Sequence, residues 1–298
     1  MTERATTGLN GLSPNAQGMI WMVISGLGFV VAHTVVRHFS FQLHPFIVTF
    51  FVMFFGTIVI LPSFLRHGLA PLHTTRLPLH LLRSLCIAIA VMTLYYALST
   101  TPLAVVTALS FLIPIFASLL AWPLLREKLR LRRFLAIVVG FGGTLIILRP
   151  GFADVGLGQL LVIISAIFFS LSTILIRALG RTDSSITITS YTVILSTSLS
   201  LIPALFVWHW PSWEQLAFLA PGGVAAAFGI LFFAQALRKA ATNVVMPLDY
   251  LRMVWAALLG FAFFAELPDQ FTWIGAAVIL GSATYVGYRE TELRKASA

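Results

Sequence analysis

The sequence predicts an all-α polytopic membrane protein built from two related halves of five helices each. Composition gives the first indication, since 59% of the 298 residues are hydrophobic and 10% are charged. The mean hydropathy is +0.95. An apolar helix needs about 20 residues to cross the hydrocarbon layer, and apolar segments of that length follow one another along almost the entire chain. Composition therefore predicts a membrane protein with short connections and no soluble domain.

Ten such segments are separated by Pro, Gly and polar clusters, which mark the turns. We expect ten transmembrane helices at 16–36, 45–65, 77–99, 102–125, 132–148, 156–179, 186–208, 214–237, 242–265 and 270–288.

The second indication is an internal repeat. The segment beginning at Ala97 aligns without a gap on the segment beginning at Ala236, and Glu127 then aligns on Glu266. With five helices per half, an odd number, the second half must enter the membrane the opposite way up. Inverted repeats are typical of transporters whose substrate path lies between the two halves. The predicted organisation is a polar N-terminal tail at 1–15, repeats at 16–150 and 151–290, and a C-terminal tail at 291–298.

The third indication is the placement of Lys and Arg, which are retained on the cytoplasmic side of a membrane. With the predicted helices, nearly all of them fall on one side, and only Arg37 and Arg149 fall on the other. Both termini are therefore predicted to be cytoplasmic, in the inner membrane of a bacterium. This topology accounts for the net charge of +9, so the lipid bilayer is the expected partner and nucleic acid is not.

The repeat resembles a known family. The stretch ALSTTPLAVVTALSFLIPIFASLLAWPLLRE at 97–127 and the stretch PLDYLRMVWAALLGFAFFAE at 247–266 are similar to the EamA domain of the drug/metabolite transporter superfamily. The copies depart from each other where Ala241 replaces Pro102 and Met253 replaces Pro114. The resemblance implies two EamA-like repeats around a central cavity lined by helices one, three, four, six, eight and nine. Members of this superfamily include YddG-type amino-acid exporters and carriers of nucleotide sugars, S-adenosylmethionine or vitamins.

Charged residues at membrane depth are costly, so each indicates a function or a partner. Asp249 and Arg252 lie three apart in predicted helix nine and hence on one face. One interpretation is that Arg252 binds the carboxylate of a zwitterionic substrate and Asp249 binds its ammonium group. The other is that the two residues neutralise each other along the helix. Their counterparts in the first copy are Ser110 and Ile113, so the charge is present in one half only.

The remaining candidates for the cavity are polar or aromatic. Phe111 aligns with Tyr250, and Pro114 is expected to break helix four. His33 lies within the first span, where it would serve proton coupling or be satisfied at the interface. The full set of substrate-binding candidates is His33, Tyr95, Tyr96, Ser110, Phe111, Phe232, Gln235, Asp249, Tyr250, Arg252 and Trp255.

Glycines in predicted helices five and ten allow helices to approach closely. Gly140, Gly143, Gly275 and Gly281 therefore predict packing between the two halves or between protomers of a homo-oligomer.

Missing motifs narrow the function. The sequence has no P-loop, no HExxH and no GxSxG motif. We therefore predict that the protein has no catalytic, cofactor or metal site and is not an enzyme. The favoured function is a secondary transporter that exports small amino acids by alternating access. The alternative substrate is S-adenosylmethionine, a vitamin or a nucleotide-like metabolite. An intramembrane enzyme or a channel is a much less favoured alternative, because the sequence offers no catalytic set at one depth and no evident rings of like charge.

Overall fold

The computed structural model describes residues 13–68, 72–113, 115–117, 119–120, 131–149, 156–179, 182–240 and 248–295. Within these ranges the regular structure is helical, and no residue is in a β-strand. The helices are numbered here in chain order as α1 (Pro14–Phe39), α2 (Pro45–His67), α3 (Leu77–Thr100), α4 (Leu103–Ser110), α5 (Leu131–Leu148), α6 (Leu157–Leu179), α7 (Ser185–Phe206), α8 (Trp213–Lys239), α9 (Arg252–Phe264) and α10 (Gln270–Lys295).

Six of these helices are long and apolar enough to cross a membrane, namely α1, α2, α3, α6, α7 and α8. Shorter apolar helical segments lie at Val138–Leu148, Arg252–Phe264 and Gln270–Ser282. The prediction of an all-α polytopic membrane protein is confirmed at this level. Parts of the predicted spans 102–125 and 242–265 fall outside the described residues, as do Pro114, Glu127 and Pro247.

Hydroxyl side chains fix several helix starts. Ser13 accepts a hydrogen bond from the Ala16 N–H at 3.3 Å and so caps α1. Ser212 and Gln215 form a reciprocal capping box at the start of α8, with bonds of 3.2 and 2.8 Å. These side chains satisfy N–H groups that have no partner within the helix.

The major packing contacts join helices of the first half to helices of the second. The most extensive are α1 with α8, α3 with α6, and α5 with α10. The Ser25 hydroxyl of α1 donates to the Gly229 carbonyl of α8 at 2.8 Å. The Ser165 hydroxyl of α6 donates to the Ala90 carbonyl of α3 at 2.7 Å. Ala90 and Gly229 occupy the same place in the repeat alignment, so the two contacts are equivalent.

The equivalent helices α5 and α10 run in opposite directions. Close approaches join Gly140 to Ser282 and Gly143 to Gly275, so residue numbers rise along α5 as they fall along α10. The Thr57 and Thr197 hydroxyls, 2.9 Å apart, join α2 to α7. Between α5 and α10 the glycines therefore serve packing of one half against the other, whereas a side chain added at Gly281 would meet nothing within 4 Å.

The helix is interrupted after α4 in the first half and before α9 in the second half. The two interruptions lie at the same place in the repeat. A turn replaces the helix at Phe111 and Leu112, and another replaces it at Tyr250 and Leu251. The N–H groups of Leu112 and Leu251 each donate to the carbonyl three residues earlier, at 3.0 and 3.1 Å. The predicted spans 102–125 and 242–265 are therefore each interrupted by a turn, which apolar length alone does not indicate.

The break in α4 begins three residues before Pro114, where we expected the break itself. Proline has no N–H to donate to the carbonyl four residues earlier, which here belongs to Ser110. In the second half Asp249 lies just before the turn, and Arg252 is the first residue of α9. Both residues thus lie at an interruption of the helix and not in the middle of a continuous helix.

A left-handed residue ends α9. Ala265 has φ 54°, its N–H donates to the Phe261 carbonyl at 3.0 Å, and the N–H of Glu266 donates to the Gly260 carbonyl at 3.1 Å. This reversal turns the chain back and directs Glu266 toward the start of α4.

Ala265→Gly is expected to stabilise the protein by about 1 kcal/mol, because a Cβ at positive φ is strained and glycine has none. The measurement is the apparent melting temperature of the purified protein in detergent. Ala262→Gly is the control, since this exposed α9 residue is helical and its replacement should cost roughly 0.5–1 kcal/mol. Equal destabilisation by both changes would contradict the assignment.

Candidate substrate-binding site

Arg252 and Asp249 form an ion pair at the break before α9. Arg252 Nη2 donates to Asp249 Oδ2 at 2.7 Å. Asp249 is buried, and its Oδ1 has no hydrogen-bond partner among the described residues. Arg252 retains 17% side-chain exposure against 9% for Asp249. The pair is therefore neutral as a unit, but one carboxylate oxygen and the outer part of the guanidinium are left for other contacts.

Aromatic rings surround the guanidinium of Arg252. Its Cζ lies 5.7 Å from the ring centre of Phe29 and 5.8 Å from that of Phe111. The Phe111 ring meets the Tyr250 ring edge-on at 5.2 Å, so the two helix interruptions are in contact. Cations over aromatic faces are favourable, more so where water is excluded. These rings hold Arg252 between the halves of the protein.

His33 of α1 and Tyr95 of α3 extend this group. Their rings lie 6.1 Å apart in an edge-on arrangement, and His33 lies four residues after Phe29 on the same face of α1. We call Phe29, His33, Tyr95, Phe111, Asp249, Tyr250 and Arg252 the Arg252 cluster. It draws on α1, α3, and the breaks beside α4 and α9, which the resemblance assigned to the cavity.

A glycine of α1 provides the space for Arg252. A Cβ built on Gly26 would lie 2.9 Å from Arg252 Cγ, which is closer than real side chains approach. Gly26 and Phe29 therefore fit α1 against the guanidinium. The sequence analysis did not single out either residue, because neither carries charge and both belong to a long apolar run.

Several predicted candidates lie away from the Arg252 cluster. Tyr96 faces Phe46, with ring centres 6.2 Å apart, and lines a cavity of about 390 Å³ with residues of α2, α6 and α7. Phe232 stacks on Trp21 at 4.8 Å, and Gln235 is exposed. The adjacent residues Tyr95 and Tyr96 thus point to different regions.

Two further candidates lie beside the cluster without a polar contact to it. Ser110 donates to the Val106 carbonyl of its own helix at 2.7 Å. Trp255 packs on the core, and its indole N–H is buried without a partner among the described residues. Among the residues that the structure describes, no group of three His, Cys, Asp or Glu side chains could hold a metal ion.

Glu266 makes contacts that its place in the repeat did not predict. Its carboxylate pairs with Arg37 of α1, and its Oε2 accepts a hydrogen bond from the Leu103 N–H at the start of α4, at 3.1 Å. Arg37 also donates to the carbonyls of Leu98 and Thr101, each at 2.6 Å. These five residues, called the Arg37–Glu266 junction, join α1, the α3–α4 turn and the end of α9.

A second Arg–carboxylate pair lies on the same side of the protein. Arg149 pairs with Asp269 in the loop before α10, and both side chains are more than a third exposed. Partial burial raises the pKa of Asp269, but hydrogen bonds from Thr272 and the charge of Arg149 outweigh it, so the pKa lies below its ordinary value. Exposed pairs of this kind contribute little to stability.

The opposite side is joined by a histidine. His80 Nε2, near the start of α3, lies 2.7 Å from Asp183 Oδ2 in the α6–α7 loop. The Thr74 hydroxyl donates to the same oxygen at 2.9 Å, and the His80 ring lies 4.5 Å from that of Tyr191. Polar contacts therefore join the halves on both sides, with the Arg252 cluster between them.

A membrane protein with two oppositely directed halves and a charged pair between them has the architecture of a small-molecule carrier. The chain belongs to the EamA-like transporter family, whose model matches residues 16–149 and 156–288. This family is part of the drug/metabolite transporter superfamily, as the resemblance implied.

Relatives match over nearly the whole chain. The sequence is 30% identical to the S-adenosylmethionine uptake transporter of Rickettsia prowazekii, over 94% of this chain and 96% of that protein. It is 31% identical to the riboflavin transporter of Vibrio cholerae, over 93% of this chain and 94% of that protein. A solved crystal structure covers 93% of this chain and 99% of its own at a TM-score of 0.64 and 17% identity, which shows the fold alone.

These relatives support a membrane transporter but not the expected export of amino acids. They are named for S-adenosylmethionine and for riboflavin, which are the kinds of substrate held as the alternative.

Gly26→Ala is expected to destabilise the protein by about 2 kcal/mol, because the added Cβ forces Arg252 out of its packing. The apparent melting temperature measures the loss. Gly142→Ala is the control, since nothing lies within 4 Å of a Cβ there. Combined with Arg252→Ala, which removes Cγ, the Gly26→Ala change should cost almost nothing. An undiminished cost in that background would contradict the contact.

Asp249→Asn and Arg252→Gln are each expected to destabilise the protein by about 3–5 kcal/mol, because each leaves a buried charge without its partner. The double variant leaves no charge and should lose less than the worse single variant. A double-mutant cycle on unfolding in detergent measures the coupling. Strictly additive losses would show that the two side chains do not depend on each other.

Proposed function

We propose that this protein is a secondary transporter that takes up S-adenosylmethionine or a metabolite of the same class. That class combines a planar heteroaromatic base with a zwitterionic arm. The observation that carries the proposal is the Asp249–Arg252 pair, set among aromatic rings between the two halves. The S-adenosylmethionine uptake transporter that matches over 94% of the chain supports this assignment.

The chemistry of the cluster fits such a substrate. The guanidinium of Arg252 binds a carboxylate through two parallel hydrogen bonds, and the unpartnered Oδ1 of Asp249 accepts from an ammonium group or faces a sulfonium. The rings of Phe29 and Phe111 already lie against a cation, and they offer faces to a heteroaromatic base. A substrate with both charges can replace the contacts of the ion pair without leaving either residue unpaired.

The proposed architecture is ten transmembrane helices in two inverted EamA-like repeats, at 16–150 and 151–290. It is supported by the antiparallel pairing of equivalent helices and by the two matching interruptions at 111–112 and 250–251. Transport then follows alternating access, in which the two halves exchange roles around a fixed site without ATP hydrolysis. The excess of Lys and Arg on one side favours cytoplasmic termini in a bacterial inner membrane.

Riboflavin is the second candidate, favoured by the relative that is 31% identical over 93% of this chain. Its flat ring system suits the aromatic lining of the cluster, but it carries no charge to engage Asp249 and Arg252. The ion pair would then serve structure alone. Substrate preference therefore distinguishes a charged site from an aromatic one.

Purified protein in proteoliposomes is expected to take up radiolabelled S-adenosylmethionine with saturation and counterflow. Unlabelled S-adenosylmethionine should compete, and alanine in the same excess should not. Arg252→Lys keeps the charge but loses the planar pair of donors, so it should lower uptake by about 10-fold or more. Competition by riboflavin alone would favour the second candidate. Flux of amino acids without flux of either compound would contradict the proposal.

A further inference from the structure

The Arg37–Glu266 junction closes the Arg252 cluster from one side. Arg37 and His33 are four residues apart in α1, so they lie on the same face of that helix with Arg37 nearer its end. His33 in turn lies against Tyr95 and one turn after Phe29, whose ring lies against Arg252. The junction is therefore one helical turn beyond the cluster, toward the side where α1 ends.

The junction is made of charges, and yet its Arg37 is buried and its Glu266 is partly buried. Arg37 is 7% exposed, and its guanidinium also lies 5.2 Å from the Phe264 ring centre and 5.6 Å from that of Phe41. Both carboxylate oxygens of Glu266 are engaged, one by Arg37 and the other by the Leu103 N–H. Rings and paired charges together leave little room for a solute to pass on this side.

All contacts of the junction cross between the two halves or end at the same turn. Arg37, Leu98, Thr101 and Leu103 belong to the first half, and Glu266 alone comes from the second. Moving the end of α9 away from α4 therefore releases the ion pair and uncaps α4 in a single step. Water then solvates the freed charges, which offsets much of the lost attraction.

The nearby Arg149–Asp269 pair does not have these properties. Its side chains are 36% and 40% exposed, and Asp269 accepts a hydrogen bond from the Thr272 N–H of α10 at 2.8 Å. It supplies a matched comparison on the same side of the protein.

We propose that the Arg37–Glu266 junction is the gate of the transporter on the side where α1 ends, and that release of Glu266 opens the Arg252 cluster to that side. This assignment rests on the proposed transport function, since a gate serves a site that must be reached from both sides. In the orientation proposed above, this gate faces the periplasm.

The test uses a cysteine placed beneath the gate. The chain has one cysteine, Cys86, which is removed as Cys86→Ala, and His33→Cys is introduced as the reporter. A membrane-impermeant thiol reagent is applied to each face of oriented vesicles in turn, and the labelling rate is measured without substrate. If the His33→Cys protein is not recovered folded, Tyr95→Cys serves as the reporter.

Glu266→Gln removes the charge but retains an oxygen for the Leu103 N–H. In this background, labelling from the face where α1 ends should rise about 10-fold or more, because weakening the closed state shifts the population toward the open one. Arg149→Gln in the same reporter background should change the rate by less than about 2-fold, since exposed pairs contribute little. Unchanged labelling in Glu266→Gln, or an equal rise in Arg149→Gln, would overturn the proposal.

A second experiment examines whether the junction must open during transport. Arg37→Cys combined with Glu266→Cys, in the Cys86→Ala background, is cross-linked with a short bis-maleimide whose spacer can be reduced, because cysteines that replace two long, paired side chains are too far apart for a direct disulfide. Uptake is measured before cross-linking, after it, and after reduction of the spacer. Cross-linking should abolish uptake and reduction should restore it. Full uptake by the cross-linked protein would overturn the gate.

The two proposals fail separately. Labelling needs no substrate, so a gate response without flux of any compound would overturn the proposed function alone. Saturable uptake with labelling that is indifferent to Glu266 would overturn the gate alone.

Discussion

The two helix interruptions, after α4 and before α9, constrain the rest of the structure. A break in a membrane helix frees backbone groups that hydrocarbon cannot satisfy, so they must find partners inside the protein. The Ser170 hydroxyl of α6 donates to the Ile113 carbonyl at 2.7 Å, and Arg252 Nε lies 3.4 Å from the Asp249 carbonyl. Because Phe111 and Tyr250 also touch, the two interruptions meet between the halves, with Phe111 and Leu112 buried and Leu251 exposed. Polar groups can then exist there without facing lipid.

The two halves contribute unequally to that centre. The second half supplies Asp249 and Arg252, whereas the first has Ser110 at the position of Asp249 and supplies Gly26 and Phe29 around the guanidinium. A symmetric frame thus holds an asymmetric site. Such a site fits the proposed substrate, which has distinct charged and aromatic ends.

The sequence predicted the membrane class and the repeat because both depend on patterns that persist over many residues. It also located Asp249, Arg252 and Tyr250, since charge inside an apolar run and alignment to Phe111 single them out. It could not decide between substrate binding and mutual pairing for the two charged residues. The structure shows the pair formed at 2.7 Å, and its free Oδ1 keeps substrate binding open.

Other features depend on contacts that no local pattern contains. Arg37 and Glu266 are 229 residues apart in the chain. The repeat alignment drew attention to Glu266 but contained no information about its partner. Gln235 was chosen because it is polar within a span, but polarity does not say which way a helix face points. The interruption at 111–112 precedes the proline that the sequence displays, because the lost hydrogen bond belongs to the turn before it.

The central claim is that the Arg252 cluster holds the transported molecule between two inverted halves. An experimental structure of the protein with bound S-adenosylmethionine tests it most directly. The account predicts density for the ligand carboxylate within hydrogen-bond distance of Arg252, with the base against Phe29 or Phe111. Ligand density elsewhere, with the 2.7 Å contact between Arg252 and Asp249 unchanged and inaccessible, would contradict it.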